Sequence, residues 1–155
     1  MTLGEVAEIE IGRTPSRKDA SYWTKSLERP FCTIADIDGV LPVRPVREGV
    51  TEKAEADGKA KRVPAGSLLM SFKLSIGRTG IAEVDLFPNE AIAWIKPHEE
   101  LVLRDYLRMF IPTIDFEQHI GVAVKGKTLN KKSLAALPIE VPPLHEQRRM
   151  VDLVA

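Results

Sequence analysis

At 155 residues the chain is the size of one ordinary domain, long enough to bury a core of its own. Its composition is globular, 44% hydrophobic and 28% charged, and its 22 basic residues balance 22 acidic ones. A polycation, an acidic disordered tail and a collagen-like fibre are thereby excluded. Apolar runs span only a few residues, as in Ser67-Leu68-Leu69-Met70, so no transmembrane helix is expected. The first residues carry Glu5, Glu8 and Glu10 and lack the apolar run of a secretory signal. Cys32 is the only cysteine, which rules out an internal disulfide and a cysteine zinc site. The expectation is a cytoplasmic protein that does not engage a membrane.

In chain order, residues 5–11 alternate, with Ala7, Ile9 and Ile11 opposite Glu8 and Glu10, the pattern of a half-buried strand. Gly12 and Pro15 end it in a loop. Residues 31–35 read as a short strand, and Asp38-Gly39 as a turn. Residues 44–62 read as a connection with a short helix at most. A turn at 63–66 leads into a strand over 68–72. Gly77 and Gly80 are expected to bracket another turn, with a new strand starting at 81–84. Residues 90–96 form a strand with Ala91, Ala93 and Ile95 opposite Ile92 and Trp94, closed by Pro97. Leu103, Tyr106, Leu107, Phe110 and Ile111 then make one apolar helical stripe. Pro112 kinks or ends that helix, and 113–119 resume it. Asn130 caps a short helix over 131–137, stopped by Pro138. A short strand is expected at 139–141. Pro142 and Pro143 open a last helix that runs to residue 155.

Net zero charge conceals an asymmetry. Residues 12–18 hold Arg13, Arg17 and Lys18; residues 71–80 hold Lys73 and Arg78; residues 121–135 hold Lys125, Lys127, Lys131 and Lys132; none of the three stretches holds an acid. If they converge in space, the molecule has a positive face suited to a phosphate polymer. Tyr22 and Trp23 follow the first stretch. Tyr22 is the candidate for stacking on a base, and Trp23 is expected to anchor the loop to the core.

Gly121-Val-Ala-Val-Lys-Gly126-Lys127-Thr128 fits a phosphate loop letter for letter. That chemistry requires a buried strand before the loop and a long helix after it. Here a helical segment precedes, and Pro138 breaks the following helix after two turns, so nucleotide binding through 121–128 is the lesser alternative. Asp36-Ile37-Asp38-Gly39 lacks the further ligands of a calcium loop and reads as a turn. His98, His119 and His145 show no ligand spacing. Ser16, Ser71 and Ser133 lack a nucleophile-elbow context. No dinucleotide fingerprint and no complete catalytic apparatus is found, so neither a cofactor nor a bound metal is expected.

Leu3-Gly4-Glu5-Val6-Ala7-Glu8-Ile9, then Gly12-Arg13-Thr14-Pro15-Ser16, then Tyr22-Trp23 open an ordered set of segments. Pro64-Ala65-Gly66-Ser67-Leu68-Leu69, Ser75-Ile76-Gly77 and Asn89-Glu90-Ala91-Ile92 continue it. Gly126-Lys127-Thr128-Leu129-Asn130 and Pro142-Pro143-Leu144-His145-Glu146-Gln147 complete it. The set, in this order, resembles the target recognition domain of type I restriction–modification specificity subunits, and the resemblance accounts for the phosphate-loop match. The resemblance implies a non-catalytic subunit that reads one half of a split double-stranded DNA target. It implies methyltransferase and restriction/translocase subunits as partners.

The expected fold is α+β: one domain with a mixed, mostly antiparallel sheet, flanking helices and a C-terminal helix leaving it. Residues 1–142 would form the recognition domain, and 143–155 the start of a spacer or dimerisation helix. The DNA-facing candidates are Arg13, Thr14, Arg17, Lys18, Tyr22, Lys73, Arg78, Lys125, Lys127 and Asn130. Arg13 or Arg17 suits bidentate guanine contact, and the lysines suit phosphates. Leu144, Met150, Val151 and Val154 form an apolar stripe expected to pair with a second copy of the chain.

Overall fold

A computed structural model describes residues 1–120 and 129–154. The first turn is helical rather than extended: α1 spans Leu3–Val6, and the Glu5 carboxylate accepts from the Thr2 N–H and hydroxyl. β1 (Ala7–Ile11) follows with its expected alternation, Ala7 and Ile9 buried and Glu8 exposed. A short 3₁₀ turn, Ala20–Tyr22, leads to β2 (Trp23–Thr24), and β3 is Phe31–Cys32. The strand expected over 31–35 is cut short by a second 3₁₀ turn at Ile34–Asp36. The connection over 44–62 holds β4 (Gly49–Val50) and α2 (Glu52–Ala56), the latter capped by the Thr51 hydroxyl.

β5 (Leu68–Lys73) and β6 (Ser75–Ile81) form a hairpin, Lys73 facing Ser75 across Leu74. The turn expected at Gly77 and Gly80 is therefore at Leu74, and both glycines lie within β6. Gly77 has φ +90°, which favours glycine, and a Cβ on it would stand 2.5 Å from the Phe116 ring; one on Gly80 would stand 2.6 Å from Val43. Glycine in a strand marks such close approach as often as a turn. After β7 (Phe87–Pro88) comes β8 (Ile92–Pro97). The main sheet runs β1-β8-β5-β6, antiparallel throughout, with β2–β4 antiparallel and β3–β7 parallel as two small satellites.

The helical half follows the expected pattern. α3 (Arg104–Phe110) buries Tyr106 and Leu107, Pro112 turns it into a 3₁₀ piece at Ile111–Thr113, and α4 spans Phe116–Ile120. The Asn130 side chain accepts from the Ser133 N–H and caps α5 (Lys131–Ala135). The strand expected at 139–141 is absent; the segment is tied to the N-terminus by a single bridge, Thr2 with Pro138, and by Ile139 N–H to the Met1 carbonyl at 2.7 Å. α6 covers Leu144–Val154.

The sheet is buried on both faces, which explains the nearly unbroken apolar run of β5. Leu68, Met70 and Phe72 pack with Ala93, Ile95 and the helices; Leu69 and Ile92 pack with Cys32, Ile37, Val43 and Leu86 on the other side. Burial among these side chains raises the Cys32 thiol pKa, so it stays a protonated core residue. No helix among the described residues is long and apolar enough to cross a membrane.

Glu10 sits on the outer side of β1 between Lys61 and Lys96. The Lys61 hydrogen bond, then that of Lys96, lowers its pKa from 4.5 to about 2. An acid that ionises more readily when folded stabilises the fold above its unfolded pKa, and that contribution fades as pH falls from 4.5 towards 2. Solvent reaches this site, so the contribution is on the order of 1 kcal/mol. Glu10→Gln is expected to lower thermal stability at pH 7 and to make little difference at pH 2. An equal loss at both pH values in thermal melts would exclude the ion-pair account.

Candidate nucleic-acid interface

The antiparallel order places several strand ends together. The end of β1, the start of β8 and the apex of the β5–β6 hairpin all lie at one end of the main sheet. Ile11 pairs with Ala93, Ser71 with Ile92, and Ala91 receives the Phe72 N–H at its carbonyl. Two of the three basic stretches, 12–18 and 71–80, are therefore brought to the same end. The third divides. Lys125 and Lys127 lie outside the described residues, as does the whole 121–128 segment. Lys131 and Lys132 ride on α5, which packs against α1 and β1, with Lys131 near Glu8 and Glu10. Two of the three stretches are thus gathered among the described residues.

The 12–18 loop is held tightly at its root. The Gly12 N–H donates to the Ile92 carbonyl and the Arg13 N–H to the Pro88 carbonyl, both at 3.0 Å. A Cβ on Gly12 would stand 2.2 Å from the Asn89 oxygen and 2.3 Å from the Pro88 oxygen. Arg13 is exposed and donates from one terminal nitrogen to the Gly58 carbonyl at 2.8 Å. Its remaining N–H groups suit a base edge. The Thr14 hydroxyl donates to the Glu90 carboxylate. Lys18 is exposed and makes no ion pair among the described residues.

Arg17 is differently placed. Its guanidinium makes two hydrogen bonds to Glu48, at 2.8 and 2.9 Å, and lies 3.6 Å over the Trp23 ring. Trp23 meets Phe31 edge-on and donates its indole N–H to the Ser16 carbonyl. Glu48 raises the Arg17 pKa, and Arg17 lowers that of Glu48. This unit fastens the loop to the body. Trp23 is thus the anchor expected, while Arg17, its side chain 55% exposed, is engaged by Glu48. Tyr22 stands apart from its sequence reading. It is buried, donates its hydroxyl to Asp57 at 3.0 Å, and has its pKa raised by that carboxylate. A buried ring cannot stack on a base; it became buried because the 3₁₀ turn points it at Val50 and Ala54. Asn130 likewise has its side-chain oxygen committed to the α5 cap.

The hairpin carries Lys73, half-buried, and Arg78, exposed. A bulge between Met70 and Phe72 is stitched by the buried Ser71 hydroxyl, which accepts from the Arg78 N–H at 3.1 Å. Arg78 reaches back along its strand, donating to the Ser75 hydroxyl and, from its other terminal nitrogen at 2.9 Å, to the Ile37 carbonyl. Asp38 is the nearby acid, and it accepts from the Val40 and Leu41 N–H groups. At the apex stands Leu74, which the sequence reading passed over. Its φ is +63°, a conformation that costs a leucine about 1–2 kcal/mol.

The C-terminal helix does not simply leave the domain. Gln147 is completely buried and makes three hydrogen bonds, from the Leu103 N–H and to the Leu101 and Pro142 carbonyls. Leu144 and Val151 flank it on the docked side, half-buried. Met150 and Val154 turn outward and stay exposed with Leu153. The expected single stripe is thus two faces. The only sequence signal for Gln147 was its place in the Pro142–Gln147 motif; as a polar residue it broke the apolar pattern.

The segments around 121–128 differ from those of a phosphate loop, being the helix α4 before and the five-residue α5 after. No cluster of three or more metal-ligating side chains occurs among the described residues.

Residues 1–154 match the family described as the type I restriction modification DNA specificity domain. The chain is 24% identical over 158 residues to the type I restriction enzyme MjaIX specificity subunit of Methanocaldococcus jannaschii, covering 99% of this chain and 36% of that protein. It is 24% identical over 161 residues to the type I restriction enzyme EcoR124I/EcoR124II specificity subunit of Escherichia coli, covering 99% of this chain and 39% of that one. The crystal structure of the HsdS subunit from Thermoanaerobacter tengcongensis has the same fold, with a TM-score of 0.76 at 24% identity over 99% of this chain and 35% of its own. The chain spans somewhat more than a third of these relatives. With the match running along its whole described length, the chain belongs to the type I restriction modification DNA specificity domain family.

Proposed function

We propose that the chain reads one half of a bipartite duplex DNA target as a non-catalytic specificity element of a type I restriction–modification system. The supporting observation is the gathering of the 12–18 loop and the β5–β6 hairpin at one end of the sheet, with Arg13, Lys18 and Arg78 exposed and Lys73 half-buried. Phosphate contacts hold register and base edges carry the sequence information. Arg13 is the candidate base reader; Lys18, Lys73, Lys125 and Lys127 are phosphate contacts. Residues 1–142 act as the reader, and 143–155 begin a helix whose open Met150, Leu153 and Val154 face receives a methyltransferase subunit or a second copy. The restriction/translocase subunit joins that assembly, and the site of action is the cytoplasm.

Few phosphates are contacted, so binding to non-cognate duplex is expected at roughly 10⁻⁴–10⁻⁶ M near physiological salt, weakening as salt rises. Lys18→Ala and Lys127→Ala are expected to weaken all duplexes alike, and Arg13→Ala to weaken the cognate duplex most. Titration of duplexes at two salt concentrations tests this, and an affinity independent of salt would overturn it. Sedimentation of the chain with and without Leu153→Asp tests the helix face.

A further inference from the structure

Leu74 is 98% exposed, and it occupies the apex of the hairpin in a left-handed conformation. Both features work against folding at one position. Glycine or asparagine would satisfy the turn with less strain, and a polar side chain would suit the solvent better. Neighbouring positions hold the hairpin firmly. Gly77 lies under the Phe116 ring, the Thr79 hydroxyl donates to the Arg108 carbonyl at 2.8 Å, and Arg78 ties Ser75 to Ile37. A stiff ribbon therefore presents a bare leucine, with Lys73 beside it and Arg78 just behind.

A two-stranded ribbon fits the major groove, and the charges at its flanks match the phosphates on either side. In that groove the one apolar group on any base pair is the C5-methyl of thymine. Resting on the DNA-recognition reading above, we propose that Leu74 is a specificity-determining residue that reads a thymine methyl group at one position of the target. A leucine can bury that methyl, whereas the amino and carbonyl edges of the other bases would be left without partners against it.

The test is selection of duplexes from a randomised pool by the full chain and by Leu74→Asn, with melting curves of both. The asparagine suits the turn, so its melting temperature should equal or exceed that of the wild type. The wild type is expected to enrich a motif with thymine at one position. The variant should lose that preference alone, by about fourfold, the worth of one buried methyl. Replacing that thymine by deoxyuridine should cost the wild type the same fourfold and the variant nothing. If the variant selects the same motif with the same strength, Leu74 does not read DNA and the proposal fails while the recognition reading stands. If the wild type enriches no motif, the recognition reading fails and this proposal with it.

Discussion

Gly12→Ala is expected to lower the stability of the chain by about 3 kcal/mol and its melting temperature by roughly 6–12 °C. The position is decided by space. A Cβ there would overlap the carbonyl oxygens of Pro88 and Asn89, at 2.3 and 2.2 Å. Those atoms belong to the backbone that pairs with Arg13 and leads into β8, so they cannot rotate aside as a side chain does. The strand would have to separate from the loop root, displacing Arg13 and Thr14 together. Binding to cognate duplex is expected to fall with stability. Gly58→Ala is the matched control. It meets nothing within 4 Å but has φ +72°, so it bears only the conformational cost, about 1 kcal/mol. Melting curves that place the two variants level would refute the steric account.

Gln147→Leu is expected to cost about 3 kcal/mol although it makes the helix more apolar. The leucine nearly fills the same volume. It leaves the Leu103 N–H and the Leu101 and Pro142 carbonyls buried without their partner. Each orphaned group costs about 1–3 kcal/mol, part of which the protein recovers by local relaxation. Gln147→Glu separates charge from shape. Its carboxylate would face two carbonyl oxygens, so its pKa is raised in the fold. Stability is then fully retained below the ordinary glutamate value of about 4.3, and it declines as pH rises above that. Denaturant titration across pH 4–8 checks both variants. A Gln147→Glu protein as stable at pH 8 as at pH 4 would show that the side chain is not held as described. Loss of α6 docking would also free Leu144 and Val151, so binding of a partner to the outer face should weaken in step.

Much of the fold was legible in short windows. The alternation of β1, the apolar run of β5, the stripe of α3 and the Asn130 cap each declare themselves within a few residues, and each was found where expected. The hairpin turn was misplaced because Gly77 and Gly80 look like turn residues. Gly77 serves a positive φ within the strand and the approach of Phe116, and Gly80 the approach of Val43, side chains distant in the sequence. A leucine at the apex has no local signature at all. The interface was legible in composition but not in detail. Arg17 and Arg13 read alike in the sequence, and both stay exposed, yet one pairs with the Glu48 carboxylate, 31 residues away, and the other with the Gly58 carbonyl, 45 residues away.

What the sequence alone determined, then, is the set of elements, the α+β class and the family resemblance, because periodicity, caps and ordered motifs are properties of neighbouring residues. Tertiary structure decided which side chains are open to a ligand. It buried Tyr22 against Asp57, it spent Arg17 on Glu48 and Trp23, it turned Gln147 inward, and it set Leu74 at a bare apex. The partners in these pairs are separated by 35 residues for Tyr22 and Asp57 and by 46 for Gln147 and Leu101. Such contacts form only when the sheet order brings distant segments together, so no local pattern encodes them.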